Sequence, residues 1–220
     1  MLLAAASCAA ADPVRVVGTQ RVPDAELPAV PGASHRLRLS LYAFAGSRWR
    51  TEEIIAAVLA SARVLAQCGI AVAGIELSVL DAPRQFRFYS TPVSRQLLRV
   101  LAVARPAIFF VDETLNRPAF DAEAIGLGNS ATRPELANTV WVAYGAHDLA
   151  LALAHELAHV LADSGEHSSE PGNLMRDETA PDNTRLGRGQ CERMRVRGEA
   201  NRLLQRSAAS ETTGANGAVH

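Results

Sequence analysis

Lysine is absent from these 220 residues. All 22 basic side chains are arginine, set against 23 acidic ones, for a net charge of −1. A chain so close to neutral has no electrostatic footprint for nucleic acid or an anionic membrane surface. No window of about 20 apolar residues occurs, so no transmembrane helix is expected. Phosphate loops are missing too: Gly126-Leu127-Gly128 has neither G-x-G-x-x-G spacing nor a Walker lysine. Aromatic residues make up only 5% of the chain, so Trp49, Phe109, Phe110 and Trp141 are read as core. The cysteines number three, at Cys8, Cys68 and Cys191. Internal repeats are lacking, and the length suits one domain with a real core.

What is there concentrates in one stretch. Ala154-His155-Glu156-Leu157-Ala158-His159 reads H-E-x-x-H inside an apolar run. On a helix, residues i and i+4 lie on one face, so both imidazoles can reach a single ion. Glu156 then stands beside the first ligand, placed to accept a proton from a water that the ion acidifies. The flanks favour a helix. Asp148 to Asp163 contains no Gly or Pro and is dominated by Ala and Leu. Thr139 to Tyr144 before it is a β-branched and aromatic run that predicts a strand. Asp148 is placed as N-cap and Gly165 as the C-terminal stop.

Three protein ligands and an open fourth position make the catalytic zinc arrangement. His167, eight residues past His159 and just after Gly165, is the leading third ligand, with Glu166, Glu170 and Asp163 as rivals. His155, His159 and His167 are thus the expected zinc ligands and Glu156 the expected general base.

H-E-x-x-H, a Gly, a third His and a short loop to Met175 in Pro171-Gly172-Asn173-Leu174-Met175 resemble the metzincin clan of zinc endopeptidases. The resemblance covers Thr139 to Met175. It implies a zincin-like fold, a methionine turn beneath the metal, and Gly126-Leu127-Gly128 as a sheet edge beside the cleft. An ordinary glycine-rich turn is the alternative for that segment. Two departures stand out: the metzincin Gly and third His fall three and six residues after the second His, where this chain has Ala162 and Gly165. No Tyr follows Met175 closely.

The remaining pattern gives the architecture. His35 to Phe44 alternates polar and apolar residues as a half-buried strand. Thr51 to about Gln67 is an amphipathic helix with Thr51 as N-cap and Gly69 beyond its end. Ile70–Leu80 and Ala107–Val111 are strands, Val93–Ala104 a further helix, and an Arg-rich helix lies within Asn183–Arg206. The order suits an α/β fold of the α+β type, a mixed twisted sheet with both long helices on one face. Asp112 and Glu113 are placed in a solvated loop, and His147 at the surface.

Residues 1–11 resemble an export signal, with Cys8 a possible lipid-anchor site. Residues 12–34, with four prolines, read as an extended linker or arm. Residues 35–206 form the metallopeptidase domain, and 207–220 a disordered tail. Export brings an oxidising compartment, in which Cys68 and Cys191 could form a disulfide or remain two buried thiols. The functional expectation is an exported zinc endopeptidase acting on a peptide or protein substrate. Two alternatives stay open: a zinc-binding interaction domain that hydrolyses nothing, and a metal-free domain whose motif is coincidental.

Overall fold

The computed structural model describes residues 14–114, 124–129, 132–177 and 180–207. The expected export signal, the Cys8 anchor and nearly all of the expected tail lie outside them.

Strands β1 (Arg15–Arg21), β2 (His35–Phe44) and β3 (Ile70–Asp81) form one half of the main sheet, with helix α1 (Thr51–Leu65) between β2 and β3. The chain then makes the short β4 (Phe88–Tyr89), helix α2 (Thr91–Val100), β5 (Ala107–Val111) and the short β6 (Glu113–Thr114). It closes with β7 (Ala124–Leu127), β8 (Thr139–Ala143), α3 (Leu149–Ala162), α4 (Arg188–Ala200) and β9 (Leu204–Arg206). The order across the sheet is β1-β3-β2-β5-β8-β7, with β9 pairing to the start of β2. The interior pairs β3-β2, β2-β5 and β5-β8 are parallel, while β1 and β7 run antiparallel at the two edges. This is the mixed sheet that the pattern predicts.

Interior parallel strands are covered on both faces and therefore need unbroken apolar runs. Ala107-Ile108-Phe109-Phe110-Val111 supplies one, all five residues being buried. On one face, residues such as Leu39, Leu41, Phe110, Val140 and Val142 pack against α1, α3 and α4. On the other, Tyr42, Phe109 and Trp141 pack beneath Tyr89, Phe86 and Leu97 of α2. Trp141 stacks on Phe109 with ring centroids 4.2 Å apart and tilts against Tyr89 at 5.2 Å. Such ring pairs each contribute about 0.5–1.5 kcal/mol beyond the area they bury.

The pattern and the structure part at four places. Arg15–Arg21, inside the stretch read as an arm, pairs with β3 as an edge strand carrying a bulge between Val16 and Gly18. Its seven residues are exposed, so it lacks the apolar alternation by which strands are read. The final helix stops at Ala200. Asn201 and Arg202 turn the chain, Arg202 with φ 59°, and Leu204–Arg206 becomes a strand. Asp112 is buried rather than solvated: it accepts hydrogen bonds from Arg87 Nε at 2.7 Å and from the Arg48 backbone N–H at 3.1 Å. Finally, helix α1 takes Arg50 rather than Thr51 as its N-cap.

Cys68 and Cys191 are joined in a disulfide with Cα atoms 4.8 Å apart, closing a separation of 123 residues. It ties the end of the α1 segment, where Gly69 turns with φ 66°, to the first turn of α4. No described helix is long and apolar enough to cross a membrane.

Candidate metal centre

Helix α3 carries the site, and its sequence Leu-Ala-Leu-Ala-Leu-Ala-His-Glu-Leu-Ala-His-Val-Leu-Ala explains both its stability and its place. Alanine and leucine are the strongest helix formers. A helix apolar nearly all round must be buried. Ala152 is buried, and Leu153, Ala154, Leu157, Ala158, Val160 and Leu161 are buried in an apolar cluster with residues of the sheet, α1 and α4. His155 is buried in that company.

The helix ends two residues before the expected glycine. Asp163 takes the left-handed conformation with φ 49°, its N–H reaching the His159 and Val160 carbonyls, while a Cβ at Gly165 would meet nothing within 4 Å. Asp148 occupies the N-cap position but makes no side-chain cap bond. Asp163 is thus the corner that starts the chain back toward the helix face.

That return brings three imidazoles together. His159 Nε2 lies 2.9 Å from His155 Nε2 and 3.1 Å from His167 Nε2. Among the described residues, these three histidines form a group able to hold one metal ion, with ligand nitrogens within 4.8 Å of one another. The rivals point elsewhere. Glu166 pairs with Arg193 of α4, Asp163 accepts the Asn129 N–H at 2.8 Å, and Glu170 is exposed outside the group.

The far side of each ring decides what the near side can do. His155 Nδ1 donates to the Leu174 carbonyl at 2.8 Å, and His159 Nδ1 donates to the Ser164 carbonyl at 2.7 Å. A carbonyl only accepts, so both protons sit on Nδ1. Burial pushes the His155 pKa down and the His159 pKa down to about 4, so neither ring carries a second proton at neutral pH. Their Nε2 lone pairs therefore face each other. Two lone pairs at 2.9 Å repel, and a cation between them turns that repulsion into coordination. Ligands of one tetrahedral ion with bonds of about 2.1 Å stand about 3.4 Å apart, close to the spacing here. His167 Nδ1 completes the pattern, paired with Asp177 Oδ1 at 2.7 Å. Outer partners of this kind orient metal-ligating histidines. The residues present fit a metal ion.

Met175 lines a pocket with His159 and His167. It is buried, and its N–H donates to Asn173 Oδ1 at 2.9 Å while its carbonyl accepts the Ser168 N–H at 2.6 Å. The turn thus holds His155 through Leu174 and the loop carrying His167 through Ser168. Gln190 of α4 braces it by exchanging two 3.1 Å hydrogen bonds with the Asn173 side chain. A cavity of about 220 Å³ opens beside His159 and His167, bounded by Ala158, Ala162, Met175 and Met194 with Arg193.

Glu156 stands on the other side of the rings. Its Oε2 accepts the backbone N–H of Gly126, on edge strand β7, at 2.5 Å. Burial pushes its carboxyl up to about 7, against the Gly126 N–H, which pulls it down. A Cβ on Gly126 would fall 2.6 Å from Glu156 Oε2 and 2.8 Å from its carbonyl oxygen, so this glycine is needed for strand and helix to touch. Gly126-Leu127-Gly128 is therefore edge strand and its continuation, not a free turn. Between it and the rings runs an open cleft of about 490 Å³.

Sequence reading missed Asp177, the Ser164 carbonyl, the Gly126 N–H and the side chain of Asp163 as an anchor. Only the glycines left a signal: Gly within an apolar strand marks a close backbone approach. No known family model matches the chain, and no curated protein aligns with it.

Proposed function

We propose that the protein is an exported zinc-dependent endopeptidase of metzincin-like type, with His155, His159 and His167 holding the ion and Glu156 as general base. The observation that carries this reading is the facing of bare, neutral Nε2 atoms on His155 and His159, with His159, His167 and the Glu156 carboxyl lining one cleft. A purely structural site has no need of the carboxylate. Imidazole suits zinc, and three protein ligands leave a position for water or substrate. A zinc ion bound there would supply Lewis acidity, polarising a carbonyl and acidifying water.

The chain's own groups do the rest. Glu156, with its carboxyl raised toward neutrality, accepts the water proton and delivers it to the leaving amine. The outer edge of β7 holds an extended peptide by main-chain hydrogen bonds, which fixes a backbone regardless of its sequence. The Cys68–Cys191 disulfide suits an oxidising compartment and so supports export.

The deciding test is Glu156→Gln in protein purified without a histidine tag. Wild type should hold one zinc per chain and cleave casein or a peptide library. The variant should hold the same zinc and lose turnover by several orders of magnitude. Zinc-replete wild type without cleavage would favour an interaction domain instead, and absence of stoichiometric metal would sink both readings.

A further inference from the structure

The corner at Asp163 carries more than a change of direction. A left-handed helix end is cheapest for glycine, and the chain has Gly165 two residues on, yet an aspartate sits at φ 49°. Its side chain has a partner. Oδ1 accepts the Asn129 N–H at 2.8 Å, and a Cβ on Gly128 would lie 2.8 Å from that same oxygen. This is the counterpart, at the far end of the segment, of Glu156 on Gly126.

The two contacts share one ruler. Glu156 and Asp163 are seven residues apart, two turns of α3 and about 10.5 Å of rise. Gly126 and Asn129 are three residues apart, about 10 Å of extended chain. The β7 segment lies along the helix with a carboxylate under each end and glycines at 126 and 128, where side chains would lift it away.

The two carboxylates differ in what else they must do. Glu156 serves also as the base, taking a proton from water. Asp163 stands outside the histidine group. We propose that Asp163 is a positioning residue that keeps the far end of the β7 segment seated on α3, so the strand edge offered to a peptide stays in place. The purpose assigned to this clamp rests on the peptidase reading above.

Two substitutions separate the carboxylate from the backbone corner. Asp163→Gly removes the acceptor and suits φ 49°, so folding is not at risk. Asp163→Asn keeps both an acceptor oxygen and tolerance of the left-handed conformation. In zinc-loaded protein, amide hydrogen exchange at Gly126 to Asn129 should quicken by about five- to tenfold in Asp163→Gly, the scale of one hydrogen bond. Exchange within Leu149–Leu161 and zinc stoichiometry should stay unchanged. Peptide KM should rise by a similar factor with kcat within about twofold, and Asp163→Asn should restore both readouts. Exchange in Asp163→Gly equal to wild type, or Asp163→Asn as fast as Asp163→Gly, would overturn the clamp while leaving the peptidase intact. A wild type that keeps its metal and cleaves no peptide would instead overturn the reading beneath it.

Discussion

The carbonyl of Leu174 accepts the Nδ1–H of His155 at 2.8 Å, joining residues 19 apart in the chain. Through this bond the methionine turn settles which nitrogen of the first imidazole is bare. The turn is itself held by Asn173 and Gln190, and Gln190 adjoins the disulfide at Cys191. Control of the histidine group therefore extends from α3 through the turn to α4.

Of the three histidines, His167 alone is oriented by a side chain among the described residues, Asp177, through its Nδ1. Asp177→Ala should lower zinc affinity by about 10- to 100-fold, the usual effect of losing an outer partner. Asp177→Asn should lose less, because the amide oxygen still accepts the Nδ1–H. Competition against a chelating dye reads both. Unchanged affinity in Asp177→Ala would mean that the loop alone holds the third ring.

The Glu156 carboxyl gives the metal-free protein a pH signature. Its folded-state pKa, raised to about 7 from an ordinary 4.5, means the folded protein holds a proton that the unfolded chain has lost between those values. Stability from this group is full below about pH 4.5 and falls as pH rises toward 7. Metal-free Glu156→Gln should therefore be the more stable protein at pH 8, by at most about 3 kcal/mol, with the difference vanishing near pH 4. His159, pushed down to about 4, acts oppositely, costing stability as pH falls below 6.5, and does so in both proteins. Denaturant unfolding at the two pH values tests the sign.

How legible was all this in the sequence? Local rules sufficed for α3, because an Ala/Leu run without Gly or Pro has one favourable conformation and the i, i+4 spacing of His155 and His159 then follows. They sufficed for β2, where Leu37, Leu39 and Leu41 are buried and Arg36 and Arg38 exposed. They failed where a partner distant in the chain decides the outcome. Asp163 outcompetes Gly165 for the helix end because Asn129 waits to bond its side chain. Asp112 is buried because Arg87 and Arg48 converge on it. β1 is a strand because β3 offers an edge, not because its own residues alternate. The third histidine of the group sat between these cases: His167 was nameable, but its partner Asp177 was not.

Gly126 should tolerate nothing larger. In Gly126→Ala the new methyl would meet both the carboxyl and the backbone carbonyl of Glu156, at 2.6 and 2.8 Å. The side chain can swing away, but the helix backbone cannot. Overpacking of this kind costs about 1–3 kcal/mol. Removing the carboxyl as well, in Gly126→Ala with Glu156→Ala, should recover only part of that loss. Full recovery in thermal melts would show that only the flexible side chain was in the way.

The disulfide offers the last test, and it reads both stability and site. Closing a loop of 123 residues removes unfolded-state entropy corresponding to up to about 5 kcal/mol. Thiol titration of the unfolded, unreduced protein should find neither Cys68 nor Cys191 reactive. Cys68→Ser with Cys191→Ser should lower the denaturant midpoint strongly. The pair should also weaken zinc binding, because the bridge anchors the N-terminal half of α4, from which Gln190 braces Asn173 and Arg193 holds Glu166. Both effects should appear together in the double variant. Lower stability with wild-type zinc affinity would show that the methionine turn keeps its shape without that anchor, and would confine the disulfide to holding α4 on the fold.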